Sequence, residues 1–380
     1  MTQIGYLVHD LTDPAVQRRL AMLQAGGATV KLAGLSRGTV TIPDALDLGS
    51  SADGKLATRA LRVGGIVMGQ RARLWAHLGA PDVLIARNAE MLAVAVSLLP
   101  GFARRPRLIY ECLDIHRLLT APSLAGKALR ALEQRLAPHV DLVMTSSPAF
   151  VTHHLGAVFG DRIMIVENRV LDLAEGAVDL RQIPPRAGPP WKIGWFGALR
   201  CKTSLAVLTE AARLAAGQLE VVIRGRPSPA IFPDLPGQVA RLPHVRYEGP
   251  YDAAQLGPLY GQVHFAWCVD LYEAGANSEW LLPNRLYESI HNGCVPIARL
   301  GCEAGRFLVR HDIGVTLAGT SPPAVLRWLE TLDVPAYRDL LRRQHRLPRH
   351  FWRADRADCA ALVRALAGDP SLPAERRVVP

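Results

Sequence analysis

Asn277-Ser-Glu-Trp-Leu-Leu-Pro283-Asn284-Arg285-Leu-Tyr-Glu288-Ser-Ile-His-Asn292-Gly293-Cys-Val-Pro296 is the stretch that says most about the fold. Pro283 suits the first turn of a helix, where its missing N–H costs nothing, and Asn292-Gly293 can end that helix about two turns later. Arg285 and Glu288 are three residues apart and share one helical face. A helix N-terminus carrying an arginine attracts a diphosphate, and a carboxylate one turn on can accept both hydroxyls of a ribose. Val295-Pro-Ile-Ala298 then reads as a short buried strand that positions the helix. Two readings fit these residues: a site for a nucleoside diphosphate carrying a sugar, or an ordinary capped helix with an exposed ion pair.

Outward from this stretch, strands and helices alternate in two rounds. In the first, the apolar runs are Ile4–Val8, Thr29–Leu32, Val83–Ala86, Leu108–Glu111 and Leu142–Thr145. Asp13-Pro14 supplies an N-cap and a first-turn proline, and Gly26-Gly27 a stop. Pro184-Pro-Arg-Ala-Gly-Pro-Pro190 is a stiff linker. The pattern restarts with Lys192–Phe196, a helix over Leu205–Ala215, and strands at Leu219–Ile223, Val245–Tyr247, His264–Cys268 and Val295–Ala298. Such alternation implies α/β architecture with parallel, doubly wound sheets. The expected organisation is a Rossmann-like domain over 1–183, the linker 184–190, a second such domain over 191–350, and a helix and tail over 351–380. Two such domains imply a cleft between them, the usual place for a ligand.

Pro283-Asn-Arg285-Leu-Tyr-Glu288 followed by Gly293-Cys-Val-Pro296 resembles the Pro-x-Lys/Arg-x-x-Glu…Gly-x-Pro segment of GT-B glycosyltransferases. The likeness is to family 4-like enzymes of bacterial exopolysaccharide (succinoglycan-type) assembly. It implies that Glu288 holds the donor ribose, that Arg285 faces the diphosphate, and that the last helix crosses back to the first domain. The wider family often carries another glutamate eight positions before the one matching Glu288; here that position is Trp280, with Glu279 beside it. Gly197-Ala-Leu-Arg200-Cys-Lys202-Thr-Ser204, after the second round's first strand, resembles the family's Gly-x-x…Lys loop. Cations fixed there would stabilise charge building on the departing diphosphate; a solvated basic turn is the alternative. Arg224, Asn277 and Asn284 complete the expected donor-binding set, with structural turn charge as the alternative role for Arg224. Asp270 and Glu273 belong with Asn277 and Glu279 to a polar loop suited to sugar hydroxyls.

The acceptor side is expected in the first round. Tyr110-Glu111-Cys-Leu-Asp114-Ile-His116 follows a strand, and an inverting transfer needs a base for the acceptor hydroxyl. Asp114 is the first candidate, His116 the second and Glu111 the third; an N-cap role for Asp114 stays open. If the reaction retains configuration, no such base is required and Glu279 supports the sugar face. Arg87 and Asn88, just past a strand, are candidate acceptor contacts or structural caps. Ser147-Pro148 reads as capping chemistry. His153-His154 are adjacent and point to different sides of a helix.

Composition narrows the class further. Hydrophobic residues at 49% and charged residues at 21% suit globular domains. The six cysteines are scattered without C-x-x-C spacing, which argues against a zinc site or disulfide framework and for a reducing compartment. No Asp-x-Asp, Walker A or strand-linked G-x-G-x-x-G motif occurs, so no metal and no cofactor are expected. The chain opens directly on a strand, read as the absence of a leader, and no apolar run reaches the roughly 18 residues that span a bilayer. The net charge of +10 clusters at Arg59–Arg73, Arg104–Arg107 and Arg338–Arg356 without any nucleic-acid-binding signature. An anionic membrane surface is the expected partner, with Arg59–Trp75 mixing basic and apolar positions as an interfacial segment does.

The resemblance thus implies a metal-independent hexosyl transfer from a nucleotide-sugar donor, UDP-linked, to a lipid-linked glycan acceptor at the cytoplasmic membrane face. A GT-B-type nucleotide-sugar epimerase and a non-catalytic scaffold remain as alternatives.

Overall fold

A computed structural model describes residues 1–50, 56–115, 117–174, 187–369 and 378–379, with side chains described except at 56–61, 117–118 and 378–379. The chain divides into two units: Met1–Glu167 with Leu171–Leu173 and Ala354–Pro380, and Asn168–Val170 with Ala174–Arg353. Of the Pro-rich stretch expected as a linker, residues 184–186 lie outside the described set.

In the first unit the strands are β1 (Gln3–Val8), β2 (Thr29–Ser36), β3 (Leu46–Ser50), β4 (Val83–Arg87), β5 (Arg107–Cys112), β6 (Leu142–Thr145) and β7 (Ile163–Val166). Their order is β7-β6-β5-β4-β1-β2-β3, with Val378–Val379 beside β7. Every described pairing is parallel. Inner strands read as unbroken apolar runs because both faces are covered, and all five residues of β4 are buried. β3 was not expected from the sequence. Its Leu-Asp-Leu-Gly-Ser run sits at the sheet edge with only Leu48 buried, so no apolar run announces it.

The second unit contains β8 (Trp191–Leu199), β9 (Leu219–Pro227), β10 (Val245–Tyr247), β11 (Phe265–Trp267), β12 (Val295–Arg299) and β13 (Val315–Leu317). The order is β10-β9-β8-β11-β12-β13, again parallel. One apolar cluster gathers Trp191, Ile193 and Trp195 of β8; a second gathers Phe196, Tyr260, Leu286 and Tyr287. In each unit the strand order reverses around the first strand, β1 or β8. A ligand in a doubly wound sheet binds beyond the C-terminal strand ends at that reversal.

Helix Asn284–His291 buries Leu286, Tyr287, Ser289 and Ile290. Pro283 precedes this helix as its N-cap, with ψ at 148°, one step earlier than the first-turn position expected from sequence. Asn292 caps its C-terminus, and Gly293 follows at φ +72°. Arg59–Trp75 forms two helices, Leu56–Gly69 and Arg71–Leu78, broken at Gln70. Trp75 turns inward and its indole N–H donates to the Leu98 carbonyl at 3.0 Å.

Helix Arg356–Ala367, within the first unit, packs on helix Pro14–Ala25. The contact is close, because a Cβ placed on Gly26 would lie 2.3 Å from the Cys359 carbonyl oxygen. Gly26→Ala should therefore cost about 1–3 kcal/mol in urea unfolding, as other overpacked contacts do; an unchanged midpoint would show that the helices part freely.

Candidate functional site

At the second unit's reversal point the backbone comes first. Gly197 of β8 pairs in register with Gly225 of β9. Their φ angles are +106° and +140°, and a Cβ on Gly225 would sit 1.9 Å from the Gly197 carbonyl oxygen. Only glycine permits that approach. The nearest atom to a Cβ on Gly197 would be the Tyr251 hydroxyl at 3.9 Å.

Tyr251 senses the charges around it. Burial and then the Glu288 carboxylate push its hydroxyl well above the usual tyrosine range, while Arg285 and Arg224 pull the other way. The Tyr260 hydroxyl donates to Glu288 Oε2 at 3.1 Å. Arg285 donates from Nη2 to the Val269 carbonyl at 3.3 Å and lies 4.0 Å from Asp270 Oδ2. Arg200 stands 3.8 Å from the same oxygen and lies over the Tyr272 ring at 5.1 Å. Burial opposes ionisation of Asp270, but Arg285, the Tyr272 N–H, Arg200 and the Ser278 hydroxyl outweigh it and keep the carboxylate ionised below the usual range. Arg224 donates to the Pro250 carbonyl at 2.9 Å. The Nε donors of Arg224 and Arg285 are buried without an acceptor. Three guanidinium groups, Arg200, Arg224 and Arg285, thus stand near two carboxylates, Asp270 and Glu288.

The structure thus joins Gly197, Arg224, Arg285 and Glu288 through Tyr251, and links Arg200 to Arg285 through Asp270. Lys202 is exposed at the first position of helix Lys202–Leu214, whose N-cap, Cys201, accepts the Ser204 N–H at 3.3 Å. Asn284 is exposed at the start of its helix, and Asn277 is buried in the short helix Asn277–Trp280. Glu279 is ion-paired with Arg299, at the end of β12, and accepts the Gly275 N–H at 3.2 Å. Sequence reasoning passed over Tyr251, Tyr260 and Arg299. The available signal was their place just after, within a helix leading into, or at the end of a strand.

In the first unit, Glu111 is fully buried and held by three partners. Arg19 Nε donates to Oε1 at 2.8 Å, the Tyr6 hydroxyl donates to Oε2, and Arg87 Nη1 lies 3.4 Å from Oε2. Arg87 also reaches Asp13 at 3.2 Å. A candidate acceptor contact is thereby engaged inside the protein, with Arg87 only 4% exposed. Asn88 opens helix Asn88–Leu98 at φ +70°. Asp114 is exposed just beyond β5, and its carbonyl accepts the Cys112 thiol at 3.6 Å. His116 lies outside the described residues. His9, following β1, has a buried Nδ1 without a partner. Burial and then Arg87 lower its proton affinity against the opposing pull of Asp13 and Glu90, so the imidazole is neutral near pH 7.

No family model matches the chain. Its fold is shared with HepE of Anabaena, solved with UDP and glucose: the TM-score is 0.69 and the identity 14%, over 97% of this chain and all of that one. Sucrose-phosphate synthase from Thermosynechococcus elongatus gives 0.67 at 13% identity, over 97% of this chain and 96% of that one. Two doubly wound parallel sheets with this strand order define the GT-B glycosyltransferase fold. The succinoglycan biosynthesis protein ExoL of Rhizobium meliloti (strain 1021) is 44% identical over 379 residues, covering 97% of this chain and 94% of that protein. The chain belongs to the family of that succinoglycan biosynthesis protein.

Burial opposes the ionisation of Glu111, but Arg87, Arg19 and the Tyr6 hydroxyl hold its carboxyl below the usual glutamate range. Its contribution to stability is present above the unfolded-state value of about 4.3 and is lost as pH falls through the lower native one. Glu111→Gln should destabilise the protein by about 3–5 kcal/mol at neutral pH, because buried Arg19 loses its counter-charge and buried Arg87 keeps only Asp13. The difference from the native chain should shrink in acid. Equal urea midpoints at neutral pH would contradict the clamp.

Proposed function

We propose that this member of the ExoL family is a glycosyltransferase that moves a hexose from a nucleoside-diphosphate sugar, UDP-linked, onto a lipid-linked oligosaccharide during polysaccharide assembly. The carrying observation is the joint placement of Glu288, Arg285 and Arg224 around Tyr251 beside Gly197. It supplies a carboxylate for the ribose hydroxyls and cationic donors for the diphosphate, at the reversal point of the sheet. Arg200 stands one carboxylate away, and Lys202 adds charge at a helix N-terminus.

Cleaving the sugar–phosphate bond leaves roughly one further negative charge on the diphosphate, and donors aimed at it lower the barrier. Arg200, Lys202, Arg224 and Arg285 carry that role without a metal. Asn277 and Asn284 bind the donor beside them. Asp270 fixes the orientation of Arg200 and Arg285 and lowers the cost of gathering like charges. Asp114, with His116, takes the acceptor proton if configuration inverts. If it is retained, Glu279 supports the sugar face, oriented by Arg299. Arg87 and Asn88 shape the acceptor side. The UDP and glucose bound by HepE support the choice of nucleotide and sugar class.

The exopolysaccharide assignment rests on the ExoL relationship. Among the described residues no helix is long and apolar enough to cross a membrane. We propose a peripheral location at the cytoplasmic face, where a lipid-linked acceptor is presented, without nucleic acid as a partner.

The test is sugar transfer from radiolabelled UDP-hexoses to lipid-linked oligosaccharide, with a chelator present. The native chain should extend the lipid, and Glu288→Ala should reduce kcat/KM by about a hundredfold, in line with the loss of a charged hydrogen-bond acceptor. Conversion of the nucleotide sugar without acceptor would mark an epimerase. Absence of turnover with every donor would mark a scaffold, and either result overturns the proposal.

A further inference from the structure

Helix Leu124–Leu136 of the first unit buries its one acidic residue and exposes two of its leucines. Its carboxylate, Glu133, is 1% exposed and pairs with His154 Nε2 at 2.6 Å. Leu124 is 83% exposed and Leu132 41% exposed. Leu124, Ala128 and Leu132 follow at four-residue spacing and so form one outward stripe. Exposed Lys127 and Arg135 accompany it, whereas Arg130 is engaged by the Leu119 and Ala121 carbonyls at 2.8 and 2.9 Å. With its acid buried, the helix presents only apolar, neutral and cationic groups outward.

A second helix that shares a packing partner carries similar groups. Helices Leu124–Leu136 and Leu56–Gly69 both pack against helix Asn88–Leu98. The second of them exposes Met68 at 90% and is followed by Arg71 and the exposed Arg73. Trp75, the aromatic that made Arg59–Trp75 look interfacial, is engaged with Leu98 instead. Apolar side chains ringed by cations complement a surface that is apolar below and anionic above, the profile of an anionic bilayer.

We propose that helix Leu124–Leu136 docks this protein on an anionic lipid bilayer. Leu124 and Leu132 enter the boundary between headgroups and acyl chains, and Lys127 and Arg135 meet the headgroups. The inference rests on the peripheral membrane location proposed above and names its contact element.

The test is co-sedimentation of the full chain with phosphatidylcholine vesicles containing about one-third phosphatidylglycerol, and with phosphatidylcholine alone. The native chain should bind the anionic vesicles, and the double variant Leu124→Glu/Leu132→Glu should bind them more than about tenfold less tightly. Lys127→Glu/Arg135→Glu should remove the preference for anionic over neutral vesicles. Unchanged far-ultraviolet circular dichroism and urea midpoint would establish that the variants fold. Native-like vesicle binding by both folded variants would overturn this assignment and leave the membrane location standing. Failure of the native chain to bind either vesicle would remove both. A native dimer that the leucine substitutions convert to monomer would assign the face to a second copy and also overturn the proposal.

Discussion

Charge compensation at the C-terminal edge of each parallel sheet is the constraint on which the rest of this protein depends. Parallel strands deliver their polar ends to the same side, and the reversal of strand order opens a space there. In the first unit the charges are internal: Glu111 is shared by Arg19, Arg87 and Tyr6, binding β1, β4, β5 and helix Pro14–Ala25 together. In the second unit compensation stops short. Asp270 answers Arg200 and Arg285, but buried guanidinium donors remain unsatisfied. The first arrangement stabilises a fold, and the second leaves capacity for an anion.

Much of the fold was legible because its strands are buried on both faces and therefore spell out apolar runs. Val83–Ala86 and Leu142–Thr145 are recognisable without any tertiary knowledge, and Asp13-Pro14 announces its helix through local capping chemistry. The edge strand Leu46–Ser50 was not legible, since it buries only Leu48 and so requires no apolar run, and Val315–Leu317, although largely buried, is only three residues long. The break at Gln70 was hidden too, because Gly69 before it gives no stronger local signal than Gly64-Gly65, through which the helix continues.

The site was legible in its local part only. Arg285 and Glu288 are linked by helical spacing, which a sequence displays directly. Tyr251, Tyr260 and Asp270 reach them through tertiary packing across separate strands. Arg87 shows what spacing leaves out: its position after a strand suggested a ligand contact, and packing adds three internal partners, Tyr6, Glu111 and Asp13. A strand end identifies the neighbourhood of a site, whereas side-chain engagement decides which residues remain available to a substrate.

The central claim is that the cations around Arg285 form a nucleoside-diphosphate site that works without metal. Isothermal titration of UDP into the intact chain in the presence of a chelator tests it most directly. The account predicts saturable one-to-one binding that Arg285→Ala weakens by roughly tenfold to a hundredfold, the scale of one charged hydrogen bond. No binding of UDP or any other nucleoside diphosphate, or UDP binding indifferent to Arg285→Ala, would contradict it.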